Sequence, residues 1–189
     1  MSSFGQQTLL RQRFHHLSDA PAQAKRARAM LQLLLCQDGS TTRLCEAIAA
    51  EPVSLEVLEQ RVVHAVPAEV RSALPGTSFI ERITCLAAHG QVMMDNLSYI
   101  ALEGLPPDLR GDIEGGIMPI GHLLARLWVR RSFVAAAPVL FERLWGVVGW
   151  PDLDASRAYC IVTPEGPRML IAETYRRGML MERGRPFSA

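Results

Sequence analysis

The sequence has no excess of either charge: twenty Lys and Arg stand against nineteen Asp and Glu, a formal net charge of +1 over 189 residues. That removes the electrostatic footprint by which a chain holds a phosphate backbone. The basic residues gather modestly at Arg126–Arg131 and Arg176–Arg185, as expected of a solvated face or tail. Cysteine is sparse, and Cys36, Cys45, Cys85 and Cys160 lack the paired spacing of a zinc knuckle or a redox dithiol. They read as small core residues in a reducing compartment. No apolar run is long enough to span a bilayer, and no early segment joins a basic start to a long apolar stretch. Internal repeats are absent too, which excludes a solenoid. What these absences leave is a soluble cytoplasmic chain whose 49% hydrophobic content supplies one core, hence one domain over residues 1–189. Residues 1–20 read as a loose arm and residues 177–189 as a tail.

Against that background one acid stands out. Between Gly166 and Arg176 the residues alternate as in a strand, with Met169, Ile171, Glu173 and Tyr175 on one face and Leu170, Ala172 and Thr174 on the other. Burying an unpartnered carboxylate costs several kcal/mol, so Glu173 calls for a guanidinium, a ligand hydroxyl or a raised pKa. The competing reading is a solvent-facing edge glutamate. A candidate partner is Arg82, which interrupts a second strand-like run, Ser78–Gly90, where Arg82, Thr84 and Leu86 alternate against Ile83, Cys85 and Ala87. Its planar fork suits a carboxylate. A structural salt bridge to Glu81 or to Glu173 itself is the other reading.

In chain order, His15, His16 and Asp19 form a turn of possible ligands that reads as surface, not as a metal site. Ala20–Cys36 has helical periodicity; Asp38-Gly39-Ser40 ends it and caps a second helix, Thr41–Ala50. Val53–Ala65 fits a strand on its β-branched content, and the Arg82 strand turns at His89-Gly90 into Gln91–Leu102, a hairpin. Ser98 and Asn96 then share a face with Met94 and Ile100, beside Arg82. A polar stretch runs to Gly116, and Pro119-Ile120-Gly121 opens an apolar helix, His122–Trp128, whose N-terminus offers N–H groups to an anion. Val139–Val148, Arg157–Thr163 and Arg168–Tyr175 complete the set as strands. The sum is an α+β fold: a mainly antiparallel sheet of about six strands flanked by helices.

The order of these pieces resembles the chorismate pyruvate-lyase family, also called 4-hydroxybenzoate synthetases. The matching stretches are Leu33-Leu34-Leu35 through Asp38-Gly39-Ser40-Thr41-Thr42, Arg82-Ile83-Thr84-Cys85-Leu86, Ser98-Tyr99-Ile100, Pro119-Ile120-Gly121-His122-Leu123-Leu124, Arg157-Ala158-Tyr159, and Gly166-Pro167 followed by Ile171-Ala172-Glu173. The resemblance implies an internal pocket closed by helical flaps, with Arg82 and Glu173 as its catalytic pair. It places a ligand carboxylate on Arg82 and on backbone groups near Ser40 and Ile120, with Ser98 and Gly121 beside them. The reaction it implies is loss of pyruvate from chorismate to leave 4-hydroxybenzoate, by positioning and electrostatic stabilisation, with no metal and no organic cofactor. The expected partner is a small aromatic or pre-aromatic carboxylate, not a nucleic acid or a membrane, and the expected state is a monomer or dimer.

Three positions depart from that family. An alignment through Gly90 puts Leu97 where one branch has a second pocket arginine, Ser40 replaces a flap methionine, and Asn96 stands where a related branch favours small residues. The same fold is similar to the effector-binding domains of some bacterial transcription regulators, so a lyase fold turned to another biosynthetic step, or a pocket that senses without reacting, is the alternative. Only about thirty residues precede the matched region, fewer than a DNA-binding domain needs.

Overall fold

A computed structural model describes residues 21–134, 137–182 and 185–186. The His15, His16 and Asp19 cluster and the proposed N-terminal arm lie outside the described residues. Six strands form one antiparallel sheet in the order β1-β2-β3-β6-β5-β4: β1 Ser54–Val63, β2 Phe79–Ala88, β3 Gln91–Ala101, β4 Arg130–Phe133, β5 Ser156–Thr163 and β6 Gly166–Tyr175. Helices α1 (Pro21–Cys36), α2 (Thr41–Ala49), α3 (Ala68–Ala73), α4 (Pro107–Gly115), α5 (Ile120–Leu124) and α6 (Pro138–Val148) flank it. The α+β reading therefore holds, and so does the β2–β3 hairpin, which turns through His89 and Gly90 at positive φ.

Period-2 alternation sorts the sheet residues onto two faces. The back face carries Ile83, Leu97, Tyr99, Leu170 and Ala172, packed against Leu140, Phe141, Leu144 and Val148 of α6. On the front face the apolar packing divides in two. Leu86, Met94 and Tyr175 meet Leu34 of α1 and Cys45 of α2, whereas Ile80, Ile100, Met169 and Ile171 meet Leu109 and Ile113 of α4 and Leu123 of α5. Between these two clusters the front face is polar, and there a cavity opens.

Five segments differ from the sequence reading, the first being the stretch from Pro67 to Gly76, expected as a loop, which contains helix α3. Val139–Val148, expected as a strand, is helix α6: Pro138 fits its first turn, Gly149 closes it in the left-handed region at φ 77°, and Leu140, Phe141, Leu144 and Val148 make a 3.6-period stripe. The polar stretch before Gly116 is helix α4, opened by Pro107 and closed by Gly116 at φ 70°. The helix expected over His122–Trp128 is the five-residue α5, followed by turns and then the edge strand β4. Residues 177–180, placed in the tail, form a short 3₁₀ turn whose Met179 and Leu180 are buried in the α1–α2 cluster.

Candidate functional site

Two rows of cross-strand neighbours build the polar floor of the cavity. Arg82 pairs with Ser98, Ser98 with Ile171 and Ile171 with Tyr159; one step along, Thr84 pairs with Asn96, Asn96 with Glu173 and Glu173 with Arg157. Directly paired residues share a face, so the two rows point together towards α2 and α5. The walls of the cavity contain Arg82, Asn96, Glu173, Thr41, Ile120 and Arg131.

Arg82 is wholly buried, at 0% exposure. One nitrogen, Nη2, donates to the carbonyl oxygens of Gly116 and Met118 at 3.0 and 3.2 Å. Its Nε and Nη1 have no partner among the described residues. Burial pulls its pKa below the ordinary guanidinium value, yet an arginine so far above neutrality stays charged. Neither expected salt bridge forms. Glu81 lies on the back face, held by Arg61, Arg143 and Tyr99.

Glu173 finds a different arginine. Arg157 Nε donates to Oε2 at 3.0 Å, Thr41 Oγ1 donates to Oε2 at 3.2 Å, and Tyr159 Oη donates to Oε1 at 2.6 Å. Arg157 also donates to Thr41 Oγ1 at 2.9 Å and to the carbonyls of Leu34 and Gln37, with its guanidinium 5.1 Å from the Tyr159 ring centre. Burial draws the Arg157 pKa down, but Glu173 together with Tyr175 and Tyr159 more than offsets it and the net shift is upward. The Tyr159 hydroxyl is pushed well up, by burial first and then by Glu173.

The remaining expected positions divide. Ile120 and Gly121 line the cavity, whereas Ser40 and Ser98 are not among its lining residues. Ser40 caps α2, its Oγ accepting from Arg43 N at 3.4 Å, and Ser98 Oγ donates to Asn96 Oδ1 at 2.5 Å. Gly121 brings α5 against α2 so closely that a Cβ there would lie 2.3 Å from Thr42 Oγ1 and 2.8 Å from Ser40 Oγ. His122 and Glu46 join the same two helices at 3.1 Å.

Leu97 does not occupy the place that counting through Gly90 gives it. Leu86 pairs with Met94 but Ala87 with Val92, so β3 carries an extra residue at Met93. This bulge shifts the register by one. Ser98 is the residue across from Arg82, and Leu97 turns into the back-face core.

Arg157, Tyr159, Thr41 and Arg131 had been given no role. For Arg157 the signal was present: it interrupts β5 just as Arg82 interrupts β2. Arg131, on edge strand β4, lines the cavity, donates from Nη1 to the Asp38 carbonyl at 2.8 Å and has no partner for its Nε. No tertiary signal of that kind can be read from an edge strand alone. Among the described residues no three His, Cys, Asp or Glu side chains gather closely enough to hold a metal ion, and no helix is long and apolar enough to cross a membrane.

No family model matches the sequence, and no curated protein matches it either. Solved structures similar to part of the chain include the ligand-binding domain of a proposed GntR-family transcriptional regulator from Bordetella bronchiseptica, 18% identical over 65% of this chain and 82% of that one, with a TM-score of 0.41. The C-terminal domain of the histidine utilization repressor from Pseudomonas syringae pv. tomato is 10% identical over 72% of this chain and 99% of that one, TM-score 0.42. A GntR-family regulator from Bacillus cereus is 12% identical over 66% of this chain and 91% of that one, TM-score 0.41.

Proposed function

We propose that the protein binds a small ring carboxylate in this cavity, the carboxylate on Arg82 and a hydroxyl at the Glu173 end, and that it acts as an effector-binding domain. The observation that carries the reading is Arg82: a fully buried cation on the cavity wall, with two donor nitrogens left unpartnered. An uncompensated buried charge costs several kcal/mol, and a bound anion offsets that cost with charge-assisted hydrogen bonds.

Binding is favoured over acid–base chemistry by the partners the wall groups already hold. Glu173 is engaged on both oxygens, Tyr159 is pushed well above its ordinary value, and arginines do not titrate in the working range. The second reading is chorismate lyase, whose reaction needs positioning more than proton transfer. Arg131 favours it, since chorismate brings a second carboxylate and this arginine supplies a second cation on the wall.

The test is titration calorimetry with benzoate and the hydroxybenzoates, together with incubation with chorismate and assay of pyruvate. The expected result is saturable binding with no pyruvate beyond the spontaneous rate. Pyruvate with stoichiometric hydroxybenzoate would select the lyase, and no binding of any ring carboxylate would discard both readings.

A further inference from the structure

Asn96 is a buried amide on the cavity wall, 7% exposed, on the face beside Arg82 where the sequence reading puts it. Its Oδ1 accepts the Ser98 hydroxyl at 2.5 Å, which turns Nδ2 the other way. That nitrogen meets no acceptor among the described residues. Across the β3–β6 ladder Asn96 is paired directly with Glu173, so their Cβ atoms stand about 5 Å apart on the same face.

A carboxylate has about four lone-pair positions. Glu173 uses two on Oε2, for Arg157 and Thr41, and one on Oε1, for Tyr159. One acceptor position on Oε1 is left, on the residue paired across the ladder with Asn96 and its unused N–H groups. Donor and acceptor side by side fit a group that both accepts and donates.

We infer that Asn96 Nδ2 and Glu173 Oε1 form a hydroxyl-reading subsite, in which Asn96 selects a hydroxyl over an amine and Glu173 selects it over an ether. A ring hydroxyl donates its proton to Oε1 and accepts from Nδ2. An aromatic amine donates to Oε1 but sets its own N–H against that of Asn96. A methoxy group accepts from Nδ2 and leaves Oε1 unmet. The inference rests on the proposed binding of a ring carboxylate, with Asn96 adding the discrimination that a glutamate alone lacks, because a carboxylate accepts from hydroxyl and amine alike.

The experiment is calorimetry on wild type and Asn96→Ala, with benzoate, the tighter-binding of 3- and 4-hydroxybenzoate, and the amino and methoxy acids substituted at that same position. Wild type is expected to bind the hydroxy acid about tenfold more tightly than the amino acid, the equivalent of one hydrogen bond. Asn96→Ala is expected to remove most of that preference while changing benzoate affinity less than about twofold. Equal weakening of all four ligands, or none, overturns the inference. So does a wild-type preference for the amine, which would mean that Oδ1 faces the cavity. If the variant fails to fold, the wild-type series alone decides. Failure of benzoate itself to bind removes the Arg82 reading and this subsite together, whereas benzoate binding without hydroxyl preference removes only the subsite.

Discussion

Arg82 and Arg157 are both buried arginines in strand interiors, yet their surroundings assign them opposite thermodynamic roles. Arg157 has a carboxylate, a hydroxyl and two carbonyls; Arg82 has two carbonyls for one nitrogen and nothing for the others. A charge left partly unsatisfied destabilises the ligand-free fold, and replacing it with an apolar group of similar volume removes that cost. Arg82→Met is therefore expected to raise ligand-free stability by about 1–3 kcal/mol. The same substitution should weaken 4-hydroxybenzoate binding about a hundredfold, as loss of a desolvated charge pair does. Urea denaturation and calorimetry on the same preparation check the two halves. A variant that is both less stable and unchanged in affinity would make Arg82 a structural residue. Arg82→Lys should recover binding only in part, because an ammonium cannot form the two-point pair with a carboxylate.

At the scale of elements, the cavity depends on two helix starts that touch at a glycine. Gly121 carries no unusual φ, so its constraint is space alone: the Thr42 and Ser40 hydroxyls fill the volume a methyl would need. Gly121→Ala is expected to push α5 away from α2 and open the cavity mouth. The readout is ligand dissociation by stopped flow, expected to accelerate about tenfold with little change in association, since most affinity changes within one site fall in the off-rate. An unchanged off-rate would mean that α2 and α5 do not close the site.

Elements also mark where the sequence could be read and where it could not. The β2–β3 hairpin was legible because two long alternating runs flank a Gly turn, and Arg82 and Glu173 were legible because a charge breaks the apolar period of a strand. Helix α6 was readable and misread: its Val139, Val147 and Val148 suggested a strand, but the spacing of Leu140, Leu144 and Val148 is helical, and Pro138 and Gly149 bracket it. The partner of Glu173 was out of reach, because pairing of β5 with β6 is a matter of tertiary register. So was the bulge at Met93, since one extra residue leaves the alternation on either side intact and reverses only which residues face the cavity.

Across the whole molecule, the Arg157–Glu173 pair is where the sheet is fastened to the helices over its front face. From β5, Arg157 reaches the Leu34 and Gln37 carbonyls near the end of α1 and the Thr41 hydroxyl at the start of α2, while pairing with Glu173 on β6. Both members are nearly inaccessible, with side chains 4% and 2% exposed. Breaking such a pair strands a charge in a low-dielectric interior and frees two helix ends at once, so Arg157→Met is expected to cost about 3–5 kcal/mol of folding stability. Adding Glu173→Gln in the same chain removes the stranded carboxylate while keeping an acceptor for Tyr159, and should restore much of the loss. A double-mutant cycle by urea denaturation measures the coupling directly. Arg71, exposed on α3, supplies the comparison: Arg71→Met should change stability by less than about 0.5 kcal/mol. If Arg157→Met costs no more than Arg71→Met, the pair is not what holds α1 and α2 to the sheet. The contrast with Arg82 then becomes a statement about the whole fold. One buried arginine is hydrogen-bonded at all three nitrogens and keeps the cavity walls together, and the other is left short so that a ligand's carboxylate completes it.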